Sequence, residues 1–340
     1  MVGSGWRKPL ADVHPSMYEI VARGGPVHNC PIVTVVVPSR DRERLLADAI
    51  DALFRQEFPS SDYEIVVIDN ASNDGTVRLL QEKARESPVP FLGVRLRRDS
   101  GPAMARNVGV YLARGRLLAF TDSDCVPTRR WLASCLGAFA DGIGTVQGRT
   151  IAHPGQRQPL FNHFIETLRF DGSFSTSNVC YRREVLEVAG GFDPGCHYWE
   201  DVDLGWRVQR LGWRAVFAPQ ALVYHQVLTL GPLGWLRHAV RAHNWPAKVA
   251  RYPELRRHLF LGLWVHPWHL LFQSFLLGLL LGCWRRPFLV LAVPYLVIFP
   301  LRRRFVGRWP ALKAVAHLAR DAVTLVALLA GSVRFRRLVL

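Results

Sequence analysis

Short apolar runs alternate with segments of helical spacing along residues 31–228 of the chain. Residues 32–37 form an apolar, mostly β-branched run closed by Pro38, residues 41–54 carry apolar side chains at helical spacing, and residues 64–68 form a second run. Such an opening is typical of a βαβ unit, so the pattern predicts an α/β domain with a mostly parallel sheet and helices on both faces. Further strands are predicted at residues 92–96, 116–121, 144–149 and 215–224, and further helices at residues 77–86, 101–113, 129–139, 182–188 and 200–211.

Residues 1–30 carry neither pattern, and Gly24, Gly25 and Pro26 interrupt them. We therefore predict an irregular leader that lies against the domain. An apolar core of signal-peptide length is absent from this segment, which favours a cytoplasmic location for residues 31–228. The six cysteines contain no C-x-x-C pair, so they indicate neither a zinc knuckle nor a disulfide framework and fit a reducing compartment.

The pattern changes after His225. Residues 259–284 contain no Asp, Glu, Lys or Arg over 26 positions, which is long enough for one membrane span. Two weaker apolar segments follow, residues 287–301 and residues 315–333, and either is compatible with a re-entrant or interfacial helix. We therefore expect a basic amphipathic linker over residues 229–256 and membrane-associated helices over residues 257–340, with a buried bundle of apolar helices as the alternative.

The positive charge is concentrated in the second part of the chain. Residues 1–228 carry 26 basic and 25 acidic side chains, whereas residues 229–340 carry 17 basic ones and only Glu254 and Asp321 as acids. Because this charge lies among long apolar runs, it favours contact with anionic membrane lipids over binding of nucleic acid. The expected location is the cytoplasmic face of the cell membrane.

Acidic residues follow two of the predicted strands. Asp69 comes directly after residues 64–68, and Asp122-Ser123-Asp124 follows residues 116–121. Ligands of open α/β sheets bind beyond the carboxyl ends of the strands. Two carboxylates at a strand end can bind Mg²⁺ or Mn²⁺ together with a diphosphate, although the tripeptide alone is also typical of a solvated acidic turn.

Six sequence segments occur in a fixed order along residues 31–228: Val35–Ser39, Val67–Thr76, Gly101–Gly109, Asp122–Asp124, Gly190–Asp193 and Glu200–Arg207. This ordered set resembles the family 2 glycosyltransferases of the GT-A fold. The resemblance implies a Rossmann-like mixed, mostly parallel sheet with flanking helices. It also implies an inverting enzyme that transfers a sugar from a nucleotide-diphosphate donor with a divalent metal, Mn²⁺ or Mg²⁺.

The resemblance assigns the first donor-binding residues. Pro38, Ser39 and Asp41 match the first nucleotide-contacting loop, where the family more often has Thr-Tyr-Asn than Ser-Arg-Asp, so the base of the donor stays open. Asp69 matches the acid that contacts the nucleoside. Its carboxylate suits an imide N–H or a ribose hydroxyl, and a turn cap is the alternative.

Further positions match the diphosphate and metal sites of the family. Asp99 and Arg106 match positions near the nucleotide and the diphosphate, and a solvated arginine on a helix is the alternative for Arg106. Asp122 matches the residue that contacts ribose and metal, and Asp124 matches the direct metal ligand. His225 matches a further metal ligand of several metal-dependent members, with a hydrogen-bonded core histidine as the alternative.

Glu200 and Asp201 match the acidic pair at a helix N-terminus whose second carboxylate is the catalytic base of the family. Inversion requires one carboxylate within hydrogen-bonding reach of the acceptor hydroxyl, opposite the leaving diphosphate. The alternative is that the acids only stabilise the helix dipole.

The sequence thus predicts a membrane-associated transferase that takes a UDP-, GDP- or dTDP-sugar and a glycan or lipid-linked acceptor. A polyprenyl-phosphate sugar transferase and a catalytically silent membrane scaffold are the alternatives that stay open. A nucleotidyltransferase is disfavoured, because no Gly-rich phosphate loop follows the first strand. The oligomeric state is left open.

Overall fold

The computed structural model describes residues 8–27, 30–303 and 310–340. The chain divides into two compact units, residues 1–158 with 164–228 and residues 159–163 with 229–340. Part of the predicted leader, residues 1–7, 28 and 29, lies outside the described residues.

Strands and helices alternate through the first unit, and helices dominate the second. The strands are β1 Tyr18–Gly24, β2 Val33–Ser39, β3 Tyr63–Asp69, β4 Phe91–Leu96, β5 Leu117–Phe120, β6 Cys125–Pro127, β7 Ile143–Ala152, β8 Asn162–His163, β9 Val179–Arg182, β10 Arg214–His225 and β11 Leu228–Thr229. The helices are α1 Glu43–Phe54, α2 Thr76–Glu86, α3 Gly101–Leu112, α4 Trp131–Leu136, α5 Arg183–Ala189, α6 Glu200–Arg210, α7 Gly231–Val240, α8 Asn244–Arg251, α9 Pro267–Gly282, α10 Val293–Arg303 and α11 Pro310–Phe335.

Nine strands form one mixed sheet in the order β1-β4-β3-β2-β5-β9-β7-β10-β6. The neighbours β4, β3, β2 and β5 are parallel, as are β7 and β10. The pairings β1–β4, β5–β9, β9–β7 and β10–β6 are antiparallel. The mixed α/β class predicted from the sequence is confirmed, but the antiparallel share is larger than a mostly parallel sheet implies.

The expected irregular leader is wrong for residues 18–24. They form β1, an edge strand that pairs antiparallel with β4 and has a bulge between Ile20 and Ala22. Most of its side chains are half-buried or exposed, so no continuous apolar run marks it in the sequence. Gly25, which follows the strand, has a φ of +75°, and a Cβ there would lie 1.8 Å from the carbonyl oxygen of Val89. Glycine is therefore required where the leader enters the sheet.

The two central strands explain why the βαβ signal is strong. All seven residues of β2 and all seven of β3 are buried. Val35 and Val37 pack in the cluster that includes Leu46 of α1, whereas Val36 packs on the opposite face with the residues of α3. Strands that are covered on both faces have continuous apolar runs, because each face lies in a core.

The parallel strands end at one edge of the sheet, which we call the carboxyl edge. Ser39 at the end of β2 lies in register with Asp69 at the end of β3, and Val36 lies in register with Phe120 at the end of β5. β10 runs in the same direction and ends at His225. The loops that follow these strands therefore begin side by side.

The predicted helix across residues 259–284 is shorter than expected. Helix α9 begins only at Pro267 and has 16 residues. Proline favours the first turn, and His266 caps it by accepting a hydrogen bond from the backbone N–H of Trp268 at 3.0 Å. At about 1.5 Å per residue such a helix is about 24 Å long, which is less than the hydrocarbon thickness of about 30 Å.

Within the described residues, one helix is long and apolar enough to cross a membrane by length and composition, residues 311–335 of α11. In the sequence, the corresponding apolar segment, residues 315–333, is a weaker candidate for a membrane span than residues 259–284, because it contains Arg320 and Asp321. The Asp321 carboxylate is buried and accepts hydrogen bonds from Trp268 Nε1 at 2.7 Å and from the Tyr295 hydroxyl at 2.9 Å. Buried charges in apolar helices require such partners.

Candidate active site

The candidate site is built from the loops at the carboxyl edge, which carry most of the residues proposed from the sequence. Asp124 follows β5, and its carboxylate is 5% exposed. Arg42, which precedes α1, donates from Nη1 to Asp124 Oδ2 at 2.5 Å. Oδ1 of Asp124 lies 3.7 Å from His225 Nε2. Strands β5 and β10 thus bring together two of the residues expected to bind metal.

The ring orientation of His225 is fixed by the backbone. Its Nδ1 lies 2.7 Å from the carbonyl oxygen of Gln226, and a carbonyl only accepts, so Nδ1 carries the proton. In the neutral ring the lone pair is then on Nε2, the atom that faces Asp124. A hydrogen bond from the second ring nitrogen to a carbonyl is the usual arrangement of a histidine that binds a metal.

Cys125 is a third potential ligand that the sequence did not indicate. One ligand atom from each of Asp124, Cys125 and His225 lies within 4.8 Å of the others, and all three residues are buried. Burial, together with the charges of Asp124 and Asp122, raises the pKa of the Cys125 thiol well above its ordinary value. Because the thiolate is the form that binds metals, the carboxylate and the imidazole are the better ligands here. An oxygen and a nitrogen donor fit Mn²⁺, and the oxygen donors fit Mg²⁺.

Arg106 of α3 links two predicted acids. Its guanidinium donates from Nη2 to Asp122 Oδ1 at 2.8 Å and from Nη1 to Glu200 Oε1 at 2.9 Å. Burial by itself lowers the pKa of Arg106, but the charges of Asp122, Glu200 and Asp201 outweigh that effect and raise it above the ordinary value. The Arg106 side chain is 6% exposed, so the solvated-arginine alternative does not apply.

The two acids at the start of α6 have different surroundings. Glu200 is buried and held by Arg106, whereas Asp201 is half-buried and accepts the backbone N–H of Val202 through Oδ1 at 2.8 Å. Asp201 is close enough to Arg106 to contribute to its raised pKa. The structure therefore brings Asp201, Glu200 and Asp122 around one guanidinium.

Asp69 and Ser39 each have one buried polar atom that forms no hydrogen bond with the part of the chain that the structure describes. Asp69 Oδ1 accepts the backbone N–H of Ser72 at 2.9 Å, but Oδ2 has no hydrogen-bond partner among the described residues and faces Arg95 Nη1 at 3.6 Å. The hydroxyl of Ser39, in register beside it, also has none there. A buried polar atom left unpaired costs about 1–3 kcal/mol, which a polar ligand removes.

Asp41 and Asp99, the remaining predicted acids of these loops, form hydrogen bonds or ion pairs with neighbouring loop residues. Asp41 has a φ of 49° and accepts the backbone N–H of Asn73 at 2.7 Å. Asp99 Oδ1 accepts Asn70 Nδ2 at 2.6 Å, and its Oδ2 forms an ion pair with Arg40 Nη1. Pro38 is buried within β2, and its backbone orients this loop.

The structure separates Asp122 from the Asp124 group. The Asp122 carboxylate binds Arg106, and Asp122 is not part of the Asp124, Cys125 and His225 cluster. The sequence reasoning also missed the arginines Arg40, Arg42 and Arg95, which neutralise the acids. The usable signal for Arg40 and Arg42 was that they flank Asp41 directly after β2, whereas Arg95 lies within β4 and had no such signal.

A mixed sheet with carboxylates gathered at its carboxyl edge is the GT-A architecture that the sequence predicted. Two family models match the chain, Glycosyl transferase family 2 over residues 34–188 and Glycosyl transferase family group 2 over residues 119–302. The second match covers more than half of the chain. The chain therefore belongs to the family 2 glycosyltransferases and is a glycosyltransferase, which confirms the resemblance.

Relatives and solved structures agree with this assignment. The chain is 27% identical to glycosyltransferase AglE of Haloferax volcanii, over 69% of this chain and 80% of AglE. It is 33% identical to the pre-mycofactocin glycosyltransferase of Mycobacterium tuberculosis, over 45% of this chain but only 34% of that protein. The mannosyltransferase PcManGT from Pyrobaculum calidifontis, solved in complex with GDP-Man and Mn²⁺, has the same fold, with a TM-score of 0.59 and 22% identity over 93% of this chain and 89% of its own.

Proposed function

We propose that this chain is an inverting, metal-assisted transferase that moves a sugar from a nucleotide diphosphate to a hydroxyl group of a glycan or membrane-bound acceptor. The observation that carries the proposal is the convergence of Asp69, Asp122, Asp124 and the Glu200–Asp201 pair at the carboxyl edge. The chain belongs to a glycosyltransferase family and has an acid at each position that the chemistry requires. Both observations argue against the alternative of a catalytically silent membrane scaffold.

Ser39 and Asp69 would contact the nucleoside, because both have a buried polar atom without a hydrogen bond among the described residues. Pro38, Asp41 and Asp99 would shape the loop that encloses it. The base of the donor is not decided by these residues, and UDP-, GDP- and dTDP-sugars remain the candidates. PcManGT, which was solved with GDP-Man, gives a reason to include the guanine nucleotide.

Asp124 and His225 would hold the metal, Mn²⁺ or Mg²⁺, whereas Asp122, whose carboxylate is held by Arg106 outside this group, would contact the ribose of the donor. The Asp124 carboxylate and the His225 ring lie 3.7 Å apart, and the presence of Mn²⁺ in the PcManGT complex supports this choice. The metal supplies positive charge that stabilises the leaving diphosphate. Arg106 adds a second, permanent positive charge on the same edge.

Asp201 would be the catalytic base. Its carboxylate would accept the proton of the acceptor hydroxyl while the new C–O bond forms on the face of the sugar opposite the diphosphate. Glu200 would position the start of α6, because its own carboxylate is held by Arg106 at 2.9 Å. The protonated Asp201 then returns its proton to water after the products leave.

The acceptor side of the proposal rests on the second unit. Its 17 basic residues and the apolar helix of residues 311–335 favour a chain held at the cytoplasmic face of the membrane, in contact with anionic lipids. An acceptor attached to a lipid, including a polyprenyl phosphate, would then reach the site from the bilayer. A soluble glycan is the other acceptor that these residues allow.

The test combines binding and turnover in detergent-purified full-length protein. Binding of UDP, GDP and dTDP is measured with and without Mn²⁺ or Mg²⁺, and so is hydrolysis of the corresponding nucleotide sugars. Both measurements are made on the wild type, Asp124→Ala and Asp201→Asn. We expect one nucleotide to bind in a metal-dependent manner. Asp124→Ala should lose that binding, whereas Asp201→Asn should bind normally and lose turnover by about 10²-fold or more, as expected for removal of a general base.

Asp141→Asn is the matched control, because Asp141 is an exposed acid outside the site. It should leave binding and turnover unchanged. Nucleotide binding that is independent of metal would overturn the metal assignment alone. Failure of every sugar nucleotide to bind the wild-type protein would overturn the proposed donor class.

A further inference from the structure

Each acid at the carboxyl edge has an arginine beside it, and these arginines differ in burial. Arg106, which holds Asp122 and Glu200, is 6% exposed, whereas Arg42, which holds Asp124, is 39% exposed. Arg106 is fixed by two carboxylates and the surrounding core. Arg42 has one of the shortest ion pairs in the site, at 2.5 Å, but its side chain reaches Asp124 from the solvent side.

The Arg42 pair competes directly with a metal ion. The guanidinium takes Oδ2 of Asp124, and Oδ1 of the same carboxylate faces His225 Nε2 at 3.7 Å. A divalent cation between Asp124 and His225 would lie within a few ångströms of this guanidinium. Like charges at such a short distance repel each other, even at the effective dielectric constant of a protein surface.

Removal of the guanidinium without a replacement is also unfavourable. Asp124 is almost fully buried, and a buried carboxylate requires a positive partner. The partner can be exchanged, however, because an exposed arginine regains its hydration when it leaves. A metal that arrives with a nucleotide diphosphate would replace the charge at Asp124 and bring phosphate oxygens, which the planar Arg42 guanidinium could bind in a forked geometry.

We propose that Arg42 is the exchangeable counter-ion of Asp124, which gives up the carboxylate to the metal and binds the diphosphate of the donor instead. This inference rests on the proposed metal-assisted donor binding. It makes Arg42 a donor-binding residue whose contact in the free protein lowers the affinity for the metal alone. The metal and the nucleotide should consequently bind better together than separately.

The experiment separates these two effects. Full-length protein in detergent is titrated with Mn²⁺ alone, followed by the loss of the free-ion electron paramagnetic resonance signal, and then with UDP or GDP at saturating Mn²⁺ by calorimetry. The variants are Arg42→Ala, Arg42→Lys and, as the matched control, Arg44→Ala, an exposed arginine two positions further on, in the first turn of α1. Thermal unfolding of each variant reports whether it folds.

Arg42→Ala should bind Mn²⁺ alone about fivefold more tightly and the nucleotide about tenfold more weakly, in line with loss of one charge-assisted hydrogen bond. Arg42→Lys should fall between, because it keeps the charge but loses the fork. Arg44→Ala should match the wild type in both measurements. Opposite changes in the two affinities are not expected from general damage to the site.

An Arg42→Ala variant that binds Mn²⁺ no more tightly than the wild type, or the nucleotide no more weakly, would overturn the exchange. Wild-type protein that binds the nucleotide but no Mn²⁺ would overturn both the exchange and the proposed metal assistance. If the wild type binds both and Arg42→Ala behaves as Arg44→Ala does, only the exchange is wrong and the proposed function stands.

Discussion

Arginines at the carboxyl edge neutralise acids that would otherwise repel one another. Arg106 serves Asp122 and Glu200 from within the core, while Arg42 serves Asp124 from the surface. The difference in burial implies a difference in function. A buried arginine between two carboxylates fixes the positions of the strand end and of α6, whereas an exposed one can change partners when a ligand brings new charges.

We predict that Arg106→Met destabilises the protein by about 3–5 kcal/mol, because it leaves the buried carboxylate of Glu200 and the partly buried carboxylate of Asp122 without this positive partner. Urea denaturation of the full-length protein at neutral pH measures the free energy of unfolding. The triple variant with Asp122→Asn and Glu200→Gln should recover a large part of the loss, since the unpaired charges are then gone. Equal stability of Arg106→Met and the wild type would show that this arginine does not hold the site together.

The position of several predicted site residues at the carboxyl edge follows from local sequence and strand direction. Asp69 and His225 are the last residues of β3 and β10, and Asp124 follows β5, so this position could be predicted from the strand pattern alone. Their arginine partners could not. Arg42 and Asp124 are separated by 82 positions, and Arg106 and Glu200 by 94, so these pairs exist only once the strands and helices are assembled.

At the level of elements, burial decided which strands could be predicted. Strands β2 and β3 are buried on both faces and stand out as continuous runs. Strand β6 has three residues and β9 has four, and both are strands because their neighbours provide hydrogen-bonding partners. For α9 the apolar composition hid the start of the helix at Pro267, since a continuous apolar stretch does not reveal where a helix begins.

The close approach of α3 to β2 depends on Gly109. A Cβ at this position would lie 2.3 Å from Val36 Cγ1, which a rigid β-branched side chain cannot avoid. We predict that Gly109→Ala costs about 1–3 kcal/mol despite the better helix propensity of alanine. Because α3 also carries Arg106, the shift should weaken nucleotide binding as well.

The double variant Gly109→Ala with Val36→Ala provides the control. Removal of the valine methyl groups makes room for the new Cβ, so the double variant should lose less stability than the sum of the two single variants. Chemical denaturation of all four proteins measures this coupling energy. Strictly additive losses would mean that the helix does not rest on Val36 at this glycine.

At the scale of the whole molecule, charge and hydropathy divide the chain in the same place. The residues up to 228 are nearly balanced in charge, and those after it carry 17 basic and two acidic side chains together with the apolar helix of residues 311–335. The proposed membrane-bound acceptor would suit this division, because the donor would come from water and the acceptor from the bilayer.

We predict that the protein binds vesicles that contain anionic lipid, that salt weakens this binding, and that neutral vesicles bind it less. Each basic residue near an anionic surface contributes about 1 kcal/mol, so replacement of three exposed arginines at the end of the chain, Arg334, Arg336 and Arg337, by Gln should weaken binding by about a hundredfold. Arg23, Arg44 and Arg55, three exposed arginines of the first unit, form the matched triple variant, which should bind as the wild type does. Vesicle flotation at low and high salt measures the bound fraction. Equal binding to neutral and anionic vesicles would mean that apolar insertion, not charge, holds the chain at the membrane. Equal loss of vesicle binding in the two triple variants would mean that the arginines of the second unit contribute no more to it than those of the first unit.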